Sequence, residues 1–166
     1  MKKQIMKTFR EISKINDNLI RNGTSIQPMC FMLDKGKVLV TIGMAYGNSR
    51  KKEIIREQIK KYVLENGIKA YILIQDSLMT KIDKKTGKHE TIDVIMRTIF
   101  MPNDQYLEIV QYKNKKIIKK TIMTNDKDFK FRSEWNVWNN TEIKDYNNEE
   151  YQKIKKENPE RYKEVA

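Results

Sequence analysis

The sequence predicts an α+β protein built on a single antiparallel sheet of five to six strands, with N-terminal, central and C-terminal helices. Three observations carry this expectation. Apolar residues recur at three-and-four spacing in two stretches, short runs rich in apolar and β-branched residues lie between and after them, and several of those runs are joined by turns short enough for hairpins. The order reads α-β-β-α-β-β-β-α, with the helices expected on one face of the sheet.

Residues 4 to 21 place Ile5, Phe9, Ile12, Ile15 and Leu19 on one helical face, and "RNG" ends the helix because Gly23 accepts the left-handed conformation. "PMCFML" and "KVLVTIGM" flank "DKG", the turn chemistry of a hairpin. "GNSRKKEIIREQIKKYVLENG" is the second helix. Asn48 or Ser49 caps it, Ile55, Ile59, Tyr62 and Val63 form its inner stripe, and Gly67 stops it. "KAYILIQDSLMTKI" is a nearly continuous apolar run, as a central strand requires. After the polar loop "KKTGKHE" come the runs "TIDVIMRTIFM", "QYLEIVQY" and "KIIKKTIM", joined by "PND" and "KN". The core domain is expected over 1–124. Residues 125–166 form a polar segment with dispersed aromatics and a charged helix over 147–165, interrupted at "ENPE" and packed on the same domain.

The element order resembles the roadblock and profilin-like arrangement, in which a helix crosses a five- or six-stranded sheet. The resemblance implies a topology and carries no activity. A glycine-turned hairpin, an amphipathic helix and the strand "AYILIQDSLM" also make residues 28–105 similar to small uncharacterised bacterial and phage proteins.

Composition narrows the function classes. The chain has 166 residues, enough to bury roughly 70% of its unfolded surface without disulfides or a structural metal. Cys30 is the only cysteine and His89 the only histidine, which excludes an intrachain disulfide and a Cys-rich zinc site. The basic start "MKKQIMKTFREISKIND" has no apolar core of a signal peptide, and no run reaches the roughly 18 apolar residues of a membrane helix. The expectation is a cytoplasmic protein with no membrane contact and no cofactor.

Charge is unevenly spread. The formal net charge is +12, and residues 1–141 hold 28 basic against 15 acidic residues. Such a body attracts polyanions. Of the 34 basic residues 27 are Lys, however, and Lys, Ile and Asn share AT-rich codons, so base composition supplies a second source for the charge.

Candidate sites follow from this inventory. "YGNSRKK" places Ser49, Arg50, Lys51 and Lys52 at a helix start, where free amides hold anions; the ordinary alternative is a cap with a solvated first turn. "YKNKKIIKK" brings Lys113, Lys115 and Lys116 to a hairpin whose turn is read at Lys113 and Asn114, although strand alternation divides its lysines between two faces. "FKFRSEWNVWNN" sets Phe131, Trp135 and Trp138 beside Lys130 and Arg132, a pattern for base stacking or a protein anchor, or simply for packing of the C-terminal segment. Asp76 and Asp93, read at the end of one strand and the start of the next, are the best carboxylate pair for acid–base or metal chemistry. Arg97, four residues after Asp93, offers a salt bridge in its place. No metal site is expected. Catalysis by Cys30 with His89 is disfavoured because Cys30 lies in an apolar strand.

The leading expectation is a small non-enzymatic basic protein of a phage or mobile element that binds nucleic acid or another polyanion. Single strands are favoured, because aromatics accompany the cations. Alternatives are a protein-interaction or inhibitor module, homodimeric or not, that uses the aromatic C-terminal region, and a metal-dependent enzyme that uses Asp76 and Asp93.

Overall fold

A computed structural model describes residues 1–102, 104–124 and 135–138. The elements are α1 (Lys2–Arg21), β1 (Met29–Asp34), β2 (Lys37–Gly43), α2 (Ser49–Glu65), β3 (Ala70–Ile82), β4 (His89–Met101), β5 (Asp104–Lys113) and β6 (Lys116–Thr124). The six strands form one antiparallel sheet in the order β2-β1-β3-β4-β5-β6. Four strands follow α2, one for each of the four runs read there and one more than the expected order counts. The helix read over 147–165 lies outside the described residues.

The helices do not share a face, contrary to expectation. Ile5, Phe9 and Ile20 of α1 pack with Leu33, Ala70, Ile72, Ile74, Ile95 and Ile99. Ile59 and Val63 of α2 pack with Cys30, Met32, Tyr71, Leu73, Phe100 and Trp135. These strand residues alternate, so the two clusters occupy opposite faces of the sheet. The physical reason lies in β1 and in the first half of β3, whose residues 70–74 are all buried. Strands apolar on both sides need a cover on each.

Turn chemistry sets the hairpins. Lys35 and Gly36 both take positive φ, 48° and 77°, as a two-residue turn of the favoured mirror type demands. A side chain at Gly36 would put a Cβ 2.5 Å from Gln4 Cγ, so α1 packs directly on this turn. At the other hairpin the turn is Asn114–Lys115, with φ of 50° and 63°, one residue later than Lys113–Asn114. Lys113 ends β5 and Lys116 opens β6, directly opposite each other.

α1 crosses one face of the sheet, from the β1–β2 turn, where Thr8 donates to the Gly36 carbonyl, towards the β5–β6 turn. Its start is tied by Lys2 Nζ to Asp104 at 2.7 Å, and Gly23, just past its end, sits against the Lys115 side chain. Between these points lies a buried ion network. Arg97 of β4 is 0% exposed; it donates from Nε to Asn16 Oδ1 at 2.9 Å, from Nη1 to Glu108 Oε1 at 2.8 Å, and from Nη2 to Asp17. Lys120 Nζ donates to the other Asp17 oxygen at 2.6 Å. Burial raises the Asp17 carboxyl, but the hydrogen bonds from Lys120 and Arg97 outweigh it and hold the group below its ordinary 3.8. Arg97 therefore docks α1 on the sheet, and Asp93 is not its partner.

No helix among the described residues is long and apolar enough to cross a membrane.

Candidate functional site

The exposed face of α1 carries a row of cations. Lys3, Lys7, Arg10, Lys14 and Arg21 are all exposed. At 3.6 residues per turn they fall within an arc of roughly 60°, and they span roughly 27 Å of helix. None of the five makes an ion pair among the described residues. No acidic residue occupies the first turn of α1 or of α2, so both helices begin with cations beside the positive end of the helix dipole. The stripe was missed in the sequence because charge was summed along the chain. Read by helical position, its spacing of four, three, four and seven is visible.

The stripe leads into the β5–β6 turn. The Lys115 side chain passes against Gly23, two residues beyond Arg21. Lys113 and Lys116 oppose each other across the ladder, where like charges are unfavourable, and Lys115 holds a left-handed conformation that is costly for a residue with a side chain. Lys119 stands opposite Gln111 on the α2 side of the sheet, whereas Lys120 points to α1 and Asp17. The lysines of "YKNKKIIKK" are thus divided between faces, and only the turn joins the α1 stripe.

Asp76 and Asp93 do approach each other, but not at strand ends. Asp76 opposes Ile95 and Asp93 opposes Leu78, so the two carboxylates are diagonal neighbours inside long strands, on the α1 face. With Tyr112, Ser25 and Lys115 they line a cavity of about 420 Å³. Tyr112 donates its hydroxyl to Asp76 Oδ1 at 3.2 Å. Burial, then the charges of Asp76 and Asp93, push this phenol up to about 12, so it is a proton donor at neutral pH and not a base. Among the described residues no three His, Cys, Asp or Glu side chains are grouped to hold a metal. The metal-dependent alternative has two carboxylates here and, among the described residues, no third ligand beside them.

The start of α2 is capped in the ordinary way. Asn48 Oδ1 accepts from Lys51 N at 2.9 Å, and Ser49 is the first helical residue. Lys52 Nζ lies 5.8 Å from the Tyr46 ring and 6.0 Å from the Trp135 ring, which are distances of cation–π attraction. Arg50 and Lys51 are exposed beside it.

Trp135 is 4% exposed and belongs to the α2-side core, so its ring offers no stacking platform for a base. Trp138, half-buried, stacks on Tyr71 at 5.3 Å between centroids. Tyr71 fixes the segment: its hydroxyl donates to the Trp135 carbonyl at 2.5 Å and accepts from Val137 N at 3.0 Å. Phe131, Lys130 and Arg132 lie outside the described residues.

Cys30 is wholly buried in β1, and burial pushes its thiol far above the usual range. It opposes Leu73 while His89 opposes Ile82, so the two are separated by roughly 30 Å along β3 and form no dyad.

Comparison of the chain with protein-family models, with curated proteins and with solved structures finds no match.

Proposed function

We propose that the protein is a small non-enzymatic binder of polyanions, with nucleic acid as the partner class and the cytoplasm as its place of action. The observation that carries this reading is the α1 stripe: five exposed cations on one face, continued by the strained, like-charged β5–β6 turn. Phosphates spaced along a strand meet such a row through charge and counterion release, without reading bases. The buried Trp135 takes support away from stacking on single strands and moves the weight to the backbone contacts.

Titration of labelled DNA and RNA at two salt concentrations tests the reading. Binding is expected at low salt and should weaken steeply as salt rises. Reversal of the stripe by Lys7→Glu, Arg10→Glu and Lys14→Glu should cost at least about 100-fold, since each reversal removes a phosphate contact and adds a repulsion. Absence of binding at low salt, or affinity that ignores both salt and the reversal, overturns it. Lys113→Glu, Lys115→Glu and Lys116→Glu report whether the turn belongs to the same surface.

A second reading, self-association through a sheet edge, is favoured by β2. This edge strand exposes Val38 (45%) and Leu39 (51%) and carries only Lys37 as a charge, where the other edge, β6, is guarded by lysines. A monomeric mass by light scattering at high protein concentration would dismiss it.

A further inference from the structure

β1 pairs with β3 only as far as Ile74, and β5 pairs with β4 only as far as Val94. Beyond those points, among the described residues, β3 and β4 pair only with each other, through the pairs Leu78–Asp93 to Ile82–His89. The result is a two-stranded arm roughly 17 Å long that leaves the end of the sheet. It departs beside the β5–β6 turn and the loop after α1, since Asp76 and Asp93 at its root share a cavity with Gly23 and Lys115. Its tip, Asp83–Lys88, is closed by Asp83 N to Lys88 O at 2.9 Å and Gly87 N to Asp83 O at 2.8 Å, with Gly87 at φ 66°.

The face of the arm turned to the α1 side is open. Leu78 is 67% exposed and Ile82 60%, and Thr80, Thr91 and His89 on the same face are exposed too, with the carboxylates of Asp76 and Asp93 confined to the root. A two-stranded ribbon alone is marginal in water; on the arm's other face Ile92 is buried, but aliphatic side chains this exposed on the α1-side face raise the cost. Lys84, Lys85 and Lys88 are exposed at the tip; Asp83, the acid there, is engaged by the Lys85 amide at 2.8 Å.

We propose that this β3–β4 arm is inserted in the major groove of double-stranded DNA. The inference rests on the polyanion reading above and adds to it the element that selects the duplex. Two strands about 4.8 Å apart with their side chains match a groove about 12 Å wide, which admits a β-ribbon. Leu78 and Ile82 supply apolar contact of the kind made to thymine methyl groups, and Thr80 and Thr91 supply short hydroxyls that pair with any base edge. The tip lysines meet the phosphates that border the groove. The deep, narrow major groove of duplex RNA excludes the same ribbon.

The test compares affinity for a DNA duplex of about 20 base pairs, the RNA duplex of the same sequence and one DNA strand. Wild type is expected to bind the DNA duplex at least about 10-fold more tightly than the other two. A shortened arm, with residues 80–91 replaced by Asn-Gly between the opposed Met79 and Ile92, should lose that preference and keep salt-dependent binding. Lys84→Glu, Lys85→Glu and Lys88→Glu, all at exposed turn positions, provide a variant that leaves the strands intact. Its salt slope on the DNA duplex should fall by about 2–3. Equal affinity of wild type for DNA and RNA duplexes, or an unchanged preference in both arm variants, overturns the arm's role and leaves the polyanion reading standing. Wild type that binds none of the three at low salt overturns both.

Discussion

Replacement of Arg97 by Met removes the cation that joins α1, β4 and β5 and leaves a side chain of similar length. Wild-type Arg97 answers two carboxylates and the Asn16 amide oxygen with three nitrogen donors in a site that excludes solvent. In Arg97→Met, Asp17 keeps Lys120, but Glu108 loses its ion-pair partner while it stays buried. Breaking a buried pair by removing one member costs about 3–5 kcal/mol, because the remaining charge is uncompensated. Against a typical stability of about 5–15 kcal/mol, that is a large share of the whole. With a urea slope near 2 kcal/mol/M the midpoint should fall by about 2 M. Urea unfolding followed by tryptophan fluorescence and by far-ultraviolet circular dichroism measures it, with the buried Trp135 as the tertiary probe. Glu108→Gln in the Arg97→Met background should restore at least about 1 kcal/mol by removing the orphaned charge. A midpoint shift below about 0.5 M at unchanged slope would refute the reasoning, since the network would then contribute nothing beyond a packed apolar residue.

The same network sets an acid limit. Asp17 has its folded-state value below the 3.8 of the unfolded chain, so its stabilisation is complete above about pH 4 and is lost as pH falls through the folded value. Thermal melts between pH 2 and 6 should show a drop at the acid end that is smaller in Asp17→Asn. Tyr71→Phe removes the hydroxyl that holds Trp135 and Val137 and should cost about 1–2 kcal/mol. Limited proteolysis should then cut near residues 135–138 at protein concentrations and times that leave wild type intact.

Features set by neighbouring residues were legible in the sequence. The Gly23 stop, the "DKG" turn and the α2 stripe with Ile59 and Val63 each rest on a local rule of period or turn chemistry, and the structure has them. The α1 face holds at Ile5 and Phe9 but not at Ile15 and Leu19, which are exposed, because the helix turns Ile20, Asn16 and Asp17 to the sheet. The β5–β6 turn slipped by one because Lys-Asn and Asn-Lys satisfy the two-residue loop about equally, and only the strand register chooses. The placement of α2 depends on β1 and β3 being apolar on both sides, which a run such as "AYILI" shows without saying what covers each side. Arg97 was assigned to Asp93 by nearness in sequence. Its true partners lie 80 residues upstream on α1 and 11 downstream on β5, a distance that spacing rules do not reach. The arm was hidden by the placing of Asp76 at a strand end, although the strand run itself extends through "LMTKI". The carboxylate pair was read correctly as neighbours and incorrectly as strand ends.

Among the described strands, every neighbouring pair but one is a hairpin of consecutive elements; the exception is the ladder of Met29–Leu33 on Ala70–Ile74. That ladder is a seam between two halves, one made of the first hairpin and the other of the four-strand meander. α1 lies across it as a splint. Thr8 donates to the Gly36 carbonyl in the first half, and Asn16 and Asp17 grip Arg97 in the second. The outer side of that splint is the cationic stripe, so the helix that would meet an anion is also the one that keeps the halves closed. A polyanion held along α1 would resist parting of the seam, and its binding would be felt throughout the fold as mechanical cohesion.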